Sequence, residues 1–133
     1  MTNAAFLQQY RNAQLEWHTL QRELDRLNTA GRPSAGHGCV TELLRTTNDH
    51  TAALMQQLDG LEAMVEAARL RCEGMAERFA RLQAACGDFR SQFILAQYYQ
   101  RGCTDGQIAV TLRLTPRHVN RLRHALLEQL ADA

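Results

Sequence analysis

The sequence predicts an all-α protein, in which a long antiparallel helical hairpin (a coiled coil) is followed by a C-terminal three-helix unit of helix-turn-helix type. Three observations carry this. Proline is confined to Pro33 and Pro116, and the good helix formers Ala, Leu, Gln, Arg and Glu outweigh sparse β-branched residues. Apolar residues recur at alternating spacings of three and four along two extended segments. Glycines, prolines and capping residues then mark where one helix stops and the next begins. At 133 residues there is room for two small units, and the patterning divides the chain into 1–87, the hairpin, and 88–133, the terminal unit.

The first helix follows from spacing alone. Phe6, Tyr10, Ala13, Trp17, Leu20, Leu24 and Leu27 form an unbroken heptad seam, which ends at "TAGRPSAGHG", residues 29–38, where three glycines and a proline predict a connecting loop. A second seam starts directly afterwards: Val40, Leu44, Thr47, Thr51, Leu54, Leu58, Leu61, Val65, Ala68, Cys72, Met75, Phe79, Leu82 and Cys86. Gly60 and Gly74 each cost about 1 kcal/mol relative to alanine but leave the register intact.

The two helices differ in length, about 27 residues (roughly 40 Å) against about 47 residues (roughly 70 Å). With a short loop, residue 29 lies near 39 and residue 2 near 66. Ala68, Cys72, Met75, Phe79 and Leu82 are then left without a partner from helix 1, and the expectation is that they pack against a second copy in a homodimer, the alternative being the C-terminal unit.

In the terminal unit, Asp88 is a candidate N-cap for "FRSQFILAQYYQR", which stops at Gly102. Thr104 opens the next helix, with Gln107 completing the T-x-x-Q capping box, and this helix ends near Arg113. "LTP" then makes Thr115 an N-cap with Pro116 at the first helical position, opening a last helix over 116–131 whose Val119, Leu122, Leu126 and Leu130 turn inward.

Charge separates the two units. The basic set is fifteen arginines and no lysine, and the formal net charge is +1. Codon bias accounts for the missing lysine as well as function does, although arginine is the better ligand for phosphate and guanine. Residues 90–133 carry six arginines against Asp105, Glu128 and Asp132, a balance of +3; residues 1–89 carry −2.

With the apolar stripe inward, Arg117, His118, Asn120, Arg121 and His124 are expected outside, on the half of the last helix that enters a major groove in helix-turn-helix proteins. Arginine bonds guanine O6 and N7 in pairs and asparagine does the same for adenine. Thr104, Arg113 and Thr115 suit phosphate, as do the helix N-termini. Arg123 is placed on a flank.

"DGQIAVTLRLTPRHVNRLRHALLEQL" resembles region 4 of bacterial sigma factors, whose pattern runs E-I-A-x-x-L-G-I-S-x-x-T-V-x-x-x-x-x-R-A-L. The long helices ahead of it, with "FILAQYYQRGCTDGQIA" at the junction, resemble the layout of phage-encoded transcriptional regulators of the RinA and ArpU type. That resemblance implies a regulator of phage or prophage genes that binds double-stranded DNA, with Arg117, His118 and Arg121 on recognition-helix positions. Arg113 departs from the pattern, standing where the family turn usually has glycine.

Other functions are less well supported. The chain has no G-x-S-x-G, no phosphate loop and no H-E-x-x-H, so no enzyme is expected. His37 and Cys39 are two candidate ligands, not four, and neither a metal nor another cofactor is expected. The four cysteines form no CxxC pair, "MTNAAFLQQY" lacks the regions of a secretion signal, and no apolar run approaches the roughly 18 residues of a membrane helix. A reduced, cytoplasmic protein is the expectation. The alternative is a coiled-coil interaction protein whose terminal helices dock onto RNA polymerase or another protein. RNA binding ranks lower, because the C-terminal aromatics fall where a core is needed.

Overall fold

The computed structural model describes residues 1–30 and 48–131. These are helical throughout apart from short connections, and no strand occurs among them. Helix α1 spans Asn3–Ala30 and α2 spans Asn48–Ala85. Helix α3, Phe89–Leu95, runs into a π-helical turn at Ala96–Gln100, and α4, Asp105–Leu112, and α5, Pro116–Leu130, complete the chain. The architecture is the expected one: two long helices packed together, then three short ones. None of the described helices is long and apolar enough to cross a membrane. Val40, Leu44 and Thr47 of the second seam, and the candidate ligands His37 and Cys39, lie outside the described residues.

The pairing register of the hairpin differs from the expected one. Asn3 meets Arg78, whose guanidinium donates to Asn3 Oδ1 at 3.1 Å, instead of lying near residue 66. Tyr10 stacks on Phe79 with centroids 4.6 Å apart, and Glu16 accepts from Arg71 at 2.7 Å. Helix α1 therefore runs antiparallel to α2 from near its C-terminal end, its 28 residues set against the 38 of α2.

This corrects the expected oligomerisation stripe. Ala68, Cys72, Phe79 and Leu82 are buried within the single chain, and Met75 packs half-buried against the same core. Burying each large side chain contributes about 1.5–3 kcal/mol, gained here from α1 and from the terminal helices, so the stripe gives no reason to invoke a second copy. Burial falls off in the other direction: Leu54, Leu58 and Leu61 are half-buried and Thr51 is exposed.

One core joins the hairpin to the terminal helices. Phe6, Leu7 and Tyr10 of α1 and Phe79 and Leu82 of α2 share it with Leu95, Tyr99, Leu126 and Leu130. A second, smaller core of Ile94, Ile108, Ala109 and Val119 holds the three short helices to one another. Asn3 Nδ2 also donates to the Leu130 carbonyl at 2.6 Å, tying the end of α5 to the start of α1. The boundary at residue 87 is thus a change of element, not a break between separate cores.

Gly102 closes the junction. Its φ of +72° lies in the left-handed region, and a Cβ there would stand 2.6 Å from Leu15 Cδ2. Glycine suits the left-handed conformation, and any Cβ there would have to displace the end of the Leu15 side chain.

Candidate nucleic-acid interface

The frame of the site is local chemistry. Thr104 Oγ1 accepts from the Gln107 N–H at 3.2 Å while Gln107 Oε1 accepts from the Thr104 N–H at 2.9 Å, which forms the capping box and fixes the start of α4. Thr115 Oγ1 accepts from the His118 N–H at 3.2 Å, and Pro116 follows as the first residue of α5. Asp88 caps α3 through the Ser91 N–H at 3.2 Å.

The turn between α4 and α5 is Arg113, Leu114 and Thr115. Arg113 adopts φ 58°, ψ 42°, the left-handed conformation, and is the one non-glycine residue with positive φ among those described. The Leu114 N–H returns to the Ala109 carbonyl at 2.9 Å, the closure of a Schellman-type helix end. Leu114 also packs onto the core containing Ala109. The turn has the geometry that glycine normally serves, and arginine takes it at a conformational cost.

Helix α5 presents Arg117, Arg121 and His124 to solvent at successive spacings of four and three, so they form one stripe along the helix. Arg113 in the turn, Thr115 and Thr104 are also exposed, and His118 is half-buried beside them. Arg113, Arg117 and Arg121 form no ion pair among the described residues. The threonine oxygens already accept cap bonds, but a hydroxyl can still donate its proton to a phosphate.

Two of the sequence-predicted placements change. Asn120 does not face outward: one amide N–H donates to Asp105 Oδ2 at 3.1 Å, which turns the side chain to the contact between α4 and α5. Arg123 is not on a flank but buried, with Nε donating to Asp105 Oδ1 and Nη2 to Oδ2, both at 3.2 Å. Asn120 and Arg123 are three residues apart and share the face of α5 turned to the first turn of α4. That face could not be read from α5 alone, because it is defined by where Asp105 lies.

Burial pushes the Asp105 carboxyl up, but the hydrogen bonds from Arg123 and Asn120 and the nearby positive charges outweigh it and hold the group below the usual carboxylate range. Asp105 is thereby neutralised locally. The exposed face keeps the charges of Arg113, Arg117 and Arg121 with no carboxylate of α4 set against them.

Sequence reasoning missed the part played by Tyr98 and Arg11. The Arg123 guanidinium carbon stands 3.9 Å from the Tyr98 ring centroid and that of Arg11 stands 4.3 Å from it. Arg11 Nε also donates to the Tyr98 carbonyl at 3.1 Å. No sequence spacing signals a contact across 87 positions. Among the described residues, no cluster of three or more His, Cys, Asp or Glu side chains is placed to hold a metal ion.

The fold and site define a helical hairpin carrying a helix-turn-helix unit with a basic outer stripe. Compared with protein-family models, with curated proteins and with solved structures, the chain matches none of them.

Proposed function

We propose that this chain is a sequence-specific DNA-binding transcriptional regulator that lays α5 in the major groove. The observation that carries the reading is the stripe Arg117, Arg121 and His124: exposed, its arginines without ion pairs, and mounted on a second helix that follows a capped, three-residue turn. From Arg117 to His124 the stripe is about 10 Å long at 1.5 Å per residue, which matches about three base pairs at 3.4 Å each. Arg117 and Arg121 are placed to read guanine edges, while Arg113 and the hydroxyls of Thr104 and Thr115 meet the flanking phosphates. Asn120 has no part in this, since its amide is held by Asp105.

The likeness of residues 105–130 to sigma region 4 supports transcription as the setting, and RNA polymerase as a further partner. Selection of bound fragments from random double-stranded DNA, at two stated salt concentrations, tests the reading. Enrichment of a core of about three base pairs is expected, with binding that weakens as salt rises because Arg113 neutralises a phosphate. Recovery of unenriched DNA at both salts overturns it and leaves the hairpin as a protein-binding module.

A further inference from the structure

We propose that Arg11, in the hairpin helix α1, is a positioning residue for the recognition helix, acting through Tyr98 and Arg123. This rests on the reading of α5 as the helix that meets DNA.

The path is continuous. Tyr98 lies in the π-helical turn Ala96–Gln100, close to the end of its helix, where backbone carbonyls lack helical partners. Arg11 supplies one, donating from Nε to the Tyr98 carbonyl at 3.1 Å, and its guanidinium also lies against the Tyr98 ring. The same ring carries the Arg123 guanidinium at 3.9 Å. Arg123 in turn grips both carboxylate oxygens of Asp105, and Asp105 holds Asn120. Leu15, one helical turn beyond Arg11 on the same face of α1, packs over Gly102 at the other end of the junction.

Val119, Leu126 and Leu130 anchor α5 by apolar burial, which is non-directional and tolerates small rotations of the helix. The hydrogen bonds and ring contacts of Arg123 are directional. They fix the azimuth that aims Arg117 and Arg121, and a binding constellation needs its aim held to about 10–20° by the groups behind it. Arg11 extends that hold to the hairpin, so the long helices and the recognition helix are set relative to one another by a chain of named contacts. The π-helical turn, an irregularity often found at functional sites, is the element through which it passes.

Arg11→Met removes the guanidinium and keeps much of the side-chain stem. Arg78→Met is the control: Arg78 makes the same kinds of contact on the hairpin, over the Phe6 ring at 4.4 Å and to Asn3 at 3.1 Å, but none to Tyr98, and its link to α5 through Asn3 ends at the Leu130 carbonyl, beyond Arg117 to His124. With the full chain and the site found by selection, Arg11→Met is expected to lose about fivefold or more in affinity, the lower end of measurable coupling between sites. Affinity for a random duplex and the salt slope should stay at the wild-type values, since Arg11 meets no phosphate. Equal losses on both DNAs, no loss on either, or the same loss in Arg78→Met overturns the proposal. Should Arg11→Met not fold, Arg11→Lys keeps the charge but loses the planar fork, and the same comparison is made. If the wild type selects no sequence, the DNA reading fails separately. Amide hydrogen exchange over residues 117–124 then decides: faster exchange in the Arg11 variant than in Arg78→Met sustains the coupling, and equal rates end it.

Discussion

The Arg123 guanidinium and the Asp105 carboxylate meet through two parallel hydrogen bonds of 3.2 Å, joining the middle of α5 to the first residue of α4. The side chains are 11% and 21% exposed, so neither charge is well solvated. Removing one partner leaves the other as a poorly hydrated charge, and Asp105→Ala should cost about 3 kcal/mol, as breaking a buried pair does. Arg123→Met should cost less, because the charge it strands, the Asp105 carboxylate, is the more exposed of the two and keeps the hydrogen bond from Asn120. Urea unfolding monitored by helical circular dichroism gives both values, and equal costs would contradict this account.

The same pair sets a response to acid. The folded-state pKa of Asp105 is depressed, so its contribution is present above the unfolded value near 3.9 and is lost as pH falls through the lower folded value. Unfolding midpoints should therefore drop below about pH 4 in the wild type, and less steeply in Asp105→Asn. Identical pH profiles would remove Asp105 from the cause.

At Gly102, alanine meets both a left-handed backbone and the end of the Leu15 side chain. The conformation alone costs about 1–2 kcal/mol, and the contact at 2.6 Å adds to it. Leu15→Ala in the same chain should recover the steric part. Strict additivity of the two substitutions in unfolding experiments would show that Leu15 is not what Gly102 accommodates.

Arg113 separates stability from binding. Glycine at this αL position should raise stability by about 0.5–1 kcal/mol, the strain relieved less the extra freedom of the unfolded chain. If Arg113 meets a phosphate as proposed, DNA binding should weaken and the salt slope should fall by about 1. A glycine variant that binds as tightly as the wild type would assign Arg113 to the turn alone.

Arg117→Ala and Arg121→Ala should each lose about 1–3 kcal/mol of binding to the selected site and relax the preference at one position. Their helical content should not change, since both side chains are exposed and unpaired. Unaltered affinity in both variants would sink the assignment of α5 as the reading helix.

How far the sequence could be read depends on the range of the interaction. Thr104 with Gln107, Thr115 with Pro116, and Asp88 before α3 were legible because a cap is made within three residues of itself. The seam of α1 was legible for the same reason, its period being local. Its pairing with α2 was not. A heptad seam looks alike after every shift of seven, so the shift between helices is chosen by non-repeating contacts such as Asn3 with Arg78 and Tyr10 with Phe79.

By itself, the amino-acid sequence determined that the chain is helical, where the short helices begin, and which side of α5 carries Arg117, Arg121 and His124. Tertiary structure alone decided that the stripe from Ala68 to Leu82 is covered by α1, that Asn120 and Arg123 turn to Asp105, and that Arg11 reaches α5 through Tyr98. The physical reason is one of distance along the chain. Helical periodicity and capping are fixed by neighbours a turn apart, whereas the partners of a buried charge are fixed by how whole helices dock, which depends on every apolar contact at once.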